Sequence, residues 1–148
     1  MYISQKCLYA MRAIFELSLR EDSEPVKINK IADAQNIPPR FLEIILNQLK
    51  HAGFVESKRG KQGGYVLSCS PDELNVGEII KTVQGSIDMP SKTFEPGGGK
   101  QKRGDYAFNH MWESLRKAVS SIYNNTSFSD LIRLEDKSEK PFATNFSI

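Results

Sequence analysis

Four polar residues in the segment PPRFLEIILNQLKH (38–51) could read the edge of a base pair. Arginine forks to guanine, asparagine to adenine, and glutamate accepts from the cytosine amino group. At ~100° per residue, Arg40, Glu43, Asn47 and Lys50 share one side of a helix, and Phe41, Leu42, Ile45, Leu46 and Leu49 share the other. Ile44 falls at the edge of the polar side, where core packing does not account for it and where it could touch thymine methyls. A few residues on, ESKRGKQGGYVL (56–67) sets Lys58, Arg59 and Lys61 among Gly60, Gly63 and Gly64, with Gln62 in the same tip. Lys58 and Lys61 suit phosphates, which position a protein without specifying sequence. Arg59 suits a narrow minor groove. Gly63 and Gly64 would let the backbone come close to the nucleic acid.

A plainer reading exists for each feature. Arg40, Glu43 and Asn47 could be a solvated helix face with a weak Arg40–Glu43 ion pair. The hairpin could be a loop kept soluble by lysines. The two together favour nucleic acid. From Lys50 to Val66 there are four Lys or Arg and one acid, Glu56, although the whole chain is only +2. Such a local patch steers toward phosphate even on a nearly neutral protein.

Other chemistry is poorly supplied. EPGGGKQKRG (95–104) holds GGGK, but a phosphate-binding loop needs its full glycine spacing, a Ser or Thr after the Lys, and a preceding strand. There is no paired CxxC, no metal-binding His-Glu helix and no nucleophile elbow, so neither an enzyme nor a metal site is expected. His51 and His110 are isolated; the first reads as a solvated capping residue and the second as a core histidine. Trp112 reads as core or interface. Cys7 reads as a small buried hydrophobe, and Cys69 lies far from it in sequence. No apolar run approaches the ~18 residues of a spanning helix. MYISQKCLYAMRAIFELSLR has no cleavage-site pattern, so the expectation is a cytoplasmic chain with free thiols.

The elements that would position these residues follow from periodicity. Residues 4–20 predict a helix capped by Ser4, with Cys7, Ala10, Met11, Ile14, Phe15 and Leu17 at spacings of three and four. EDSEP (21–25) reads as a turn. Ile28, Ile31 and Ala32 mark a short helix ending near Asn36. Pro38 and Pro39 open a third, which runs to about His51 and stops at Gly53. FVESK and GGYVLS are strands joined by RGKQ, and Pro71 ends the second. A fourth helix spans 75–85, with Ile79, Ile80 and Val83 buried. Residues 86–104 read as a mobile loop. A long amphipathic helix begins at Asp105, with Ala107, Met111, Leu115, Ala118, Val119 and Ile122 in one stripe and Phe108 and Trp112 beside it. Residues 128–136 form a last short helix, and 137–148 a loose tail. Two short helices followed by a basic hairpin give a mainly α fold with a small β-hairpin wing, a winged helix-turn-helix. The division is 1–85 for the DNA-binding domain, 86–104 for the loop, 105–136 for the later helices and 137–148 for the tail.

Residues 10–85, from AMRAIFELSL through FLEIILNQL and AGFVESKRGKQGGYVL to VGEII, resemble the Rrf-two family of bacterial winged-helix regulators, the group of IscR, NsrR and CymR. The resemblance implies a homodimeric transcription factor whose long helix, about 105–124, crosses its partner's. It carries the family's DNA contacts to Arg40, Glu43 and Arg59. It also exposes a departure. Cluster-binding members hold an iron–sulfur cluster with three cysteines in the loop before the long helix. Here 86–104 contains none; the matching positions fall near Phe94, Lys100 and Tyr106. Such clusters need thiolates, so no cluster and no other cofactor is expected. Cysteine-sensing members also lack those residues and act in complex with cysteine synthase. Ile148, on the loose tail, is then the candidate contact to that partner.

The resulting expectation is a sequence-specific regulator of double-stranded DNA, a homodimeric repressor without a cluster, acting on sulfur or cysteine metabolism. Its DNA contacts are Arg40, Glu43, Ile44, Asn47, Lys50, Lys58, Arg59, Lys61 and Gln62. The competing readings are a redox-responsive or iron–sulfur regulator with non-cysteine ligands, and a winged helix that binds protein.

Overall fold

The structure, a computed structural model, describes residues 2–20, 22, 24–87 and 100–145, with side chains as far as Ser138. Helix α1 (Gln5–Ser18) starts where Ser4 accepts a hydrogen bond from the Cys7 N–H at 3.1 Å. It buries Cys7, Ala10, Ala13, Ile14 and Leu17. Helix α2 (Ile28–Gln35) ends at Asn36, whose φ of 51° is the left-handed stop that closes short helices. The Ile37–Pro38 turn then launches α3 (Pro39–His51), with a proline in the first turn where its missing N–H costs nothing.

Packing of α3 decides which side can meet a partner. Leu42, Ile45, Leu46 and Leu49 are buried against α1 and α2. Gln48 donates to the Thr82 carbonyl of α4 (Val76–Val83) at 3.2 Å, which fixes the roll of α3 about its axis. Phe41, expected on the buried side, is instead exposed. It sits about 90° from the centre of the buried face at ~100° per residue, so a small roll moves it into solvent.

The wing is β1 (Val55–Lys58) paired antiparallel with β2 (Gly64–Leu67), Val55 opposite Leu67 and Lys58 opposite Gly64. The turn before α2 contributes more than the sequence implied. Val26 makes a two-way backbone bridge to Tyr65, 2.9 Å in each direction, and anchors the hairpin to the helical core. The glycines have a packing role within the fold. A Cβ on Gly63 would lie 2.4 Å from the Lys58 carbonyl oxygen, and one on Gly64, at φ 152°, 2.5 Å from the Val26 backbone. They permit the wing's own packing.

Helix α4 carries an N-terminal capping box in which Asn75 and Glu78 each satisfy the other's backbone N–H. Ile79 and Ile80 are buried, but Val83, expected with them, is only half-buried. Helix α5 (Asp105–Asn124) packs against α4 through its C-terminal end, where Gly77 leaves no room for a Cβ beside Asn124 and Tyr123. Helix α6 (Phe128–Asn145) returns to α1; it is longer than the expected 128–136, and 137–145 is helix rather than loose tail. Phe128, fully buried, is its plug into the core, and its N–H bonds the Leu74 carbonyl at 3.0 Å. His110, expected in the core, is exposed and stacks near Tyr106, ring centroids 6.4 Å apart. Most of the expected mobile loop lies outside the described residues; 100–104 form the turn into α5, where the Lys102 N–H bonds Asp105 at 2.7 Å.

Candidate nucleic-acid interface

Every residue proposed for base contact on α3 is exposed: Arg40, Glu43, Ile44, Asn47 and Lys50. They share the side opposite Leu42, Ile45, Leu46 and Leu49, so the helix is held from behind and its polar face is free. No ion pair joins Arg40 to Glu43 among the described residues, and both side chains keep their hydrogen-bonding capacity for a ligand. The last turn carries Lys50 and His51. His51 is tied through Nδ1 to the Asn47 carbonyl at 2.7 Å, which makes it a helix-end residue as expected.

The wing tip places Lys58, Arg59, Lys61 and Gln62 in solvent. It follows α3 directly: the Phe54 N–H bonds the Leu49 carbonyl at 3.0 Å, so the helix end and β1 form one unit. Lys58 is partly engaged, 3.4 Å from Glu56, whereas Arg59 has no acid paired to it among the described residues. A pair as exposed as Lys58–Glu56 contributes little to stability, and phosphate can displace Glu56. The site is therefore a cation-bearing tip beside a mixed donor and acceptor face. Arginine at such a tip can enter a groove, and the α3 face can meet base edges.

Sequence reasoning missed Phe41, which adds an apolar group next to Ile44 on the exposed side. Its wheel position, at the margin of the apolar arc, is compatible with either side. It also missed Val26, whose two backbone hydrogen bonds to Tyr65 add to the packing of the wing on α1 and α3. A cavity of about 610 Å³ lies behind the wing between Leu17, Val26, Leu67 and Cys69, away from the α3 face.

The family model that matches residues 3–134 is Rrf2, described as an iron-dependent transcriptional regulator. The donors in this chain do not fit an iron–sulfur cluster. Cys7 is fully buried and Cys69 half-buried, both within the winged domain, and 86–104 holds no cysteine. Burial pushes both thiols up, and for Cys69 the nearby Glu73 and Glu78 carboxylates add to it, so both favour the protonated form that binds iron poorly. Among the described residues, no three His, Cys, Asp or Glu converge as a metal site. The expected contact at Ile148 lies outside the described residues.

The chain is 30% identical to the transcriptional regulator CymR of Bacillus subtilis over 96% of its length and 97% of the relative's. It is 31% identical to IscR of Cronobacter sakazakii over 92% of its length and 83% of the relative's. The solved structure of CymR, the global cysteine regulator of B. subtilis, superposes with a TM-score of 0.74 at 30% identity, covering 88% of this chain and 95% of that one. With an exposed polar face on α3, a cationic wing and these matches along nearly its whole length, the chain belongs to the Rrf2 (Rrf-two) family of DNA-binding transcriptional regulators.

Proposed function

We propose that this regulator is a homodimeric repressor that reads DNA with Arg40, Glu43, Ile44, Asn47 and Lys50 of α3 and clamps it with Lys58, Arg59, Lys61 and Gln62 of the wing. The carrying observation is the division of α3: four large apolar residues fully engaged behind, five candidate contacts exposed in front. Arg40 and Asn47 supply bidentate donors for guanine and adenine, Glu43 an acceptor for cytosine. The wing cations neutralise phosphates, and Arg59 enters the minor groove. A DNA reader of this kind acts in the cytoplasm, and no helix among the described residues is long and apolar enough to cross a membrane.

The test is fluorescence anisotropy of the full chain on DNA upstream of its own gene, over a range of salt. With six to ten phosphate contacts, affinity falls by about 10³–10⁵ between 50 and 200 mM salt. No binding at the low end would discard the reading.

The lack of loop cysteines favours a regulator that works without a cluster, in the manner of a cysteine-responsive relative, and acts on sulfur metabolism. Protein purified without oxygen is expected to be colourless, iron-free and competent for DNA. Stoichiometric iron with visible absorption would overturn this and revive non-cysteine ligands. Cysteine synthase as a partner belongs to the same reading; its co-purification with the full chain supports it and its absence discards it.

A further inference from the structure

Phe41 and Ile44 are 59% and 60% exposed, large apolar side chains left in solvent on the helix that otherwise segregates its faces cleanly. They stand three residues apart and so lie side by side on the helix surface. With Ile45 and with Gln5, Lys6 and Tyr9 from the start of α1, they line a notch of about 420 Å³. An exposed apolar notch commonly marks a protein-binding site. Three observations favour a different occupant here. At ~100° per residue Ile44 lies within about 60° of both Arg40 and Asn47, so the notch opens beside the groups suited to base edges. The one charged residue in its wall, Lys6, is cationic, which matches phosphate. Its apolar part rests on few side chains, against the 20–30 residues a side of a standard protein interface.

We propose that this notch is a specificity pocket for the C5 methyl of a thymine in the major groove, with Phe41 and Ile44 against the methyl and the Lys6 ammonium on an adjoining phosphate. The proposal rests on α3 reading DNA. The methyl is the group that marks thymine apart from cytosine by apolar contact, and neither Arg40, Glu43 nor Asn47 can sense it. The sequence preference of this chain is thus set partly by carbon, and α1 joins the interface through Lys6 and Tyr9.

The test begins with duplexes selected by the full chain from a random pool at low salt. Each thymine is then replaced by deoxyuridine, which removes the methyl and keeps the base pair. One position in each half-site is expected to lose about three- to fivefold in affinity per methyl. In Ile44→Ala and in Phe41→Ala the ratio of thymine to deoxyuridine affinity should fall toward one at that position, with thermal unfolding unchanged because both side chains are exposed. If the native chain binds its selected duplex but ignores deoxyuridine at every position, the pocket is refuted while DNA reading stands. If both variants keep the native ratio, another residue holds the methyl and the proposal is again refuted. If no duplex is selected at all, the underlying DNA reading fails and takes the pocket with it.

Discussion

Arg59 and Glu43 sit at opposite ends of what a contact can do. Arg59 is exposed at the wing tip with no acid paired to it among the described residues, so its charge is available to a groove lined by phosphates. Arg59→Ala is expected to weaken binding by a similar factor on every DNA sequence and to lower the salt slope by about 1. Glu43, a lone acid on the exposed face of α3, would on the proposed reading repel phosphate and gain only where a cytosine amino group meets it. Glu43→Ala should leave total affinity nearly intact and relax preference at one base position, a discrimination of about 1–3 kcal/mol. Anisotropy on a panel of single-base operator variants separates the two; identical profiles for both mutants would refute the assignment. Gly64 makes a structural prediction at the same scale. At φ 152°, with a Cβ placed 2.5 Å from the Val26 backbone, Gly64→Ala forces the wing off its bridge. It should cost about 1–3 kcal/mol of strain, read as a lowered Tm.

Helix α6 shows how an element is held at one end. Ser127 accepts from the Asp130 N–H at 3.0 Å, and Asp130 accepts from the Ser127 N–H at 2.9 Å. Those hydrogen bonds, Ser127's backbone first and the Arg133 guanidinium after it, hold the Asp130 carboxyl below the usual carboxylate range. A carboxyl whose pKa is lower in the folded state stabilises that state above its unfolded pKa, ~3.9, and loses the contribution as pH falls through the lowered folded value. The Tm gap between the native chain and Asp130→Asn should therefore be open at neutral pH and close in acid; a gap that widened in acid would contradict the assignment. Next to this cap, Phe128→Ala should cost about 3–5 kcal/mol, because Phe128 is fully buried where α6 meets the core. The sequence made some of these elements legible and hid others for physical reasons. Helix α3 was readable because its period, its prolines and Gly53 agree. Val26 was not, since one residue of strand has no period. The continuation of α6 past 136 was hidden by KSEKPFATN, which carries Pro141 and no apolar stripe. Phe41 was misassigned because a wheel cannot tell a residue at the margin of an arc from one inside it. The candidate contact residues were legible as types, yet that Lys58 pairs with Glu56 while Arg40 and Glu43 form no ion pair with each other among the described residues needed the structure.

A single chain leaves α5 with an apolar face it does not use. Tyr106 is 79% and Ile122 68% exposed, and Phe108, Met111 and Leu115 are exposed between them. Ala107, Phe108, Met111, Leu115, Ala118 and Ile122 recur at three and four, which gathers them into one stripe along the twenty-residue helix. Asp105 is its only buried residue, so α5 is attached to the winged domain mainly where its C-terminal end meets α4. A stripe of that length in water is a liability unless a partner covers it, and in the proposed homodimer a two-fold pairing of α5 helices would set two α3 faces on one DNA duplex, each with its half-site. Ile122→Glu places a charge on the stripe without touching the core behind α3. It should convert the dimer to monomer by light scattering, leave the far-ultraviolet circular dichroism of the chain intact, and weaken operator binding by about 10²-fold or more as the second half-site ceases to be linked to the first. Lys117→Glu, a charge change on the same helix but off the stripe, should leave the dimer in place. A dimer that survives Ile122→Glu with full operator affinity would mean that the two DNA-reading faces are joined through some other surface than α5.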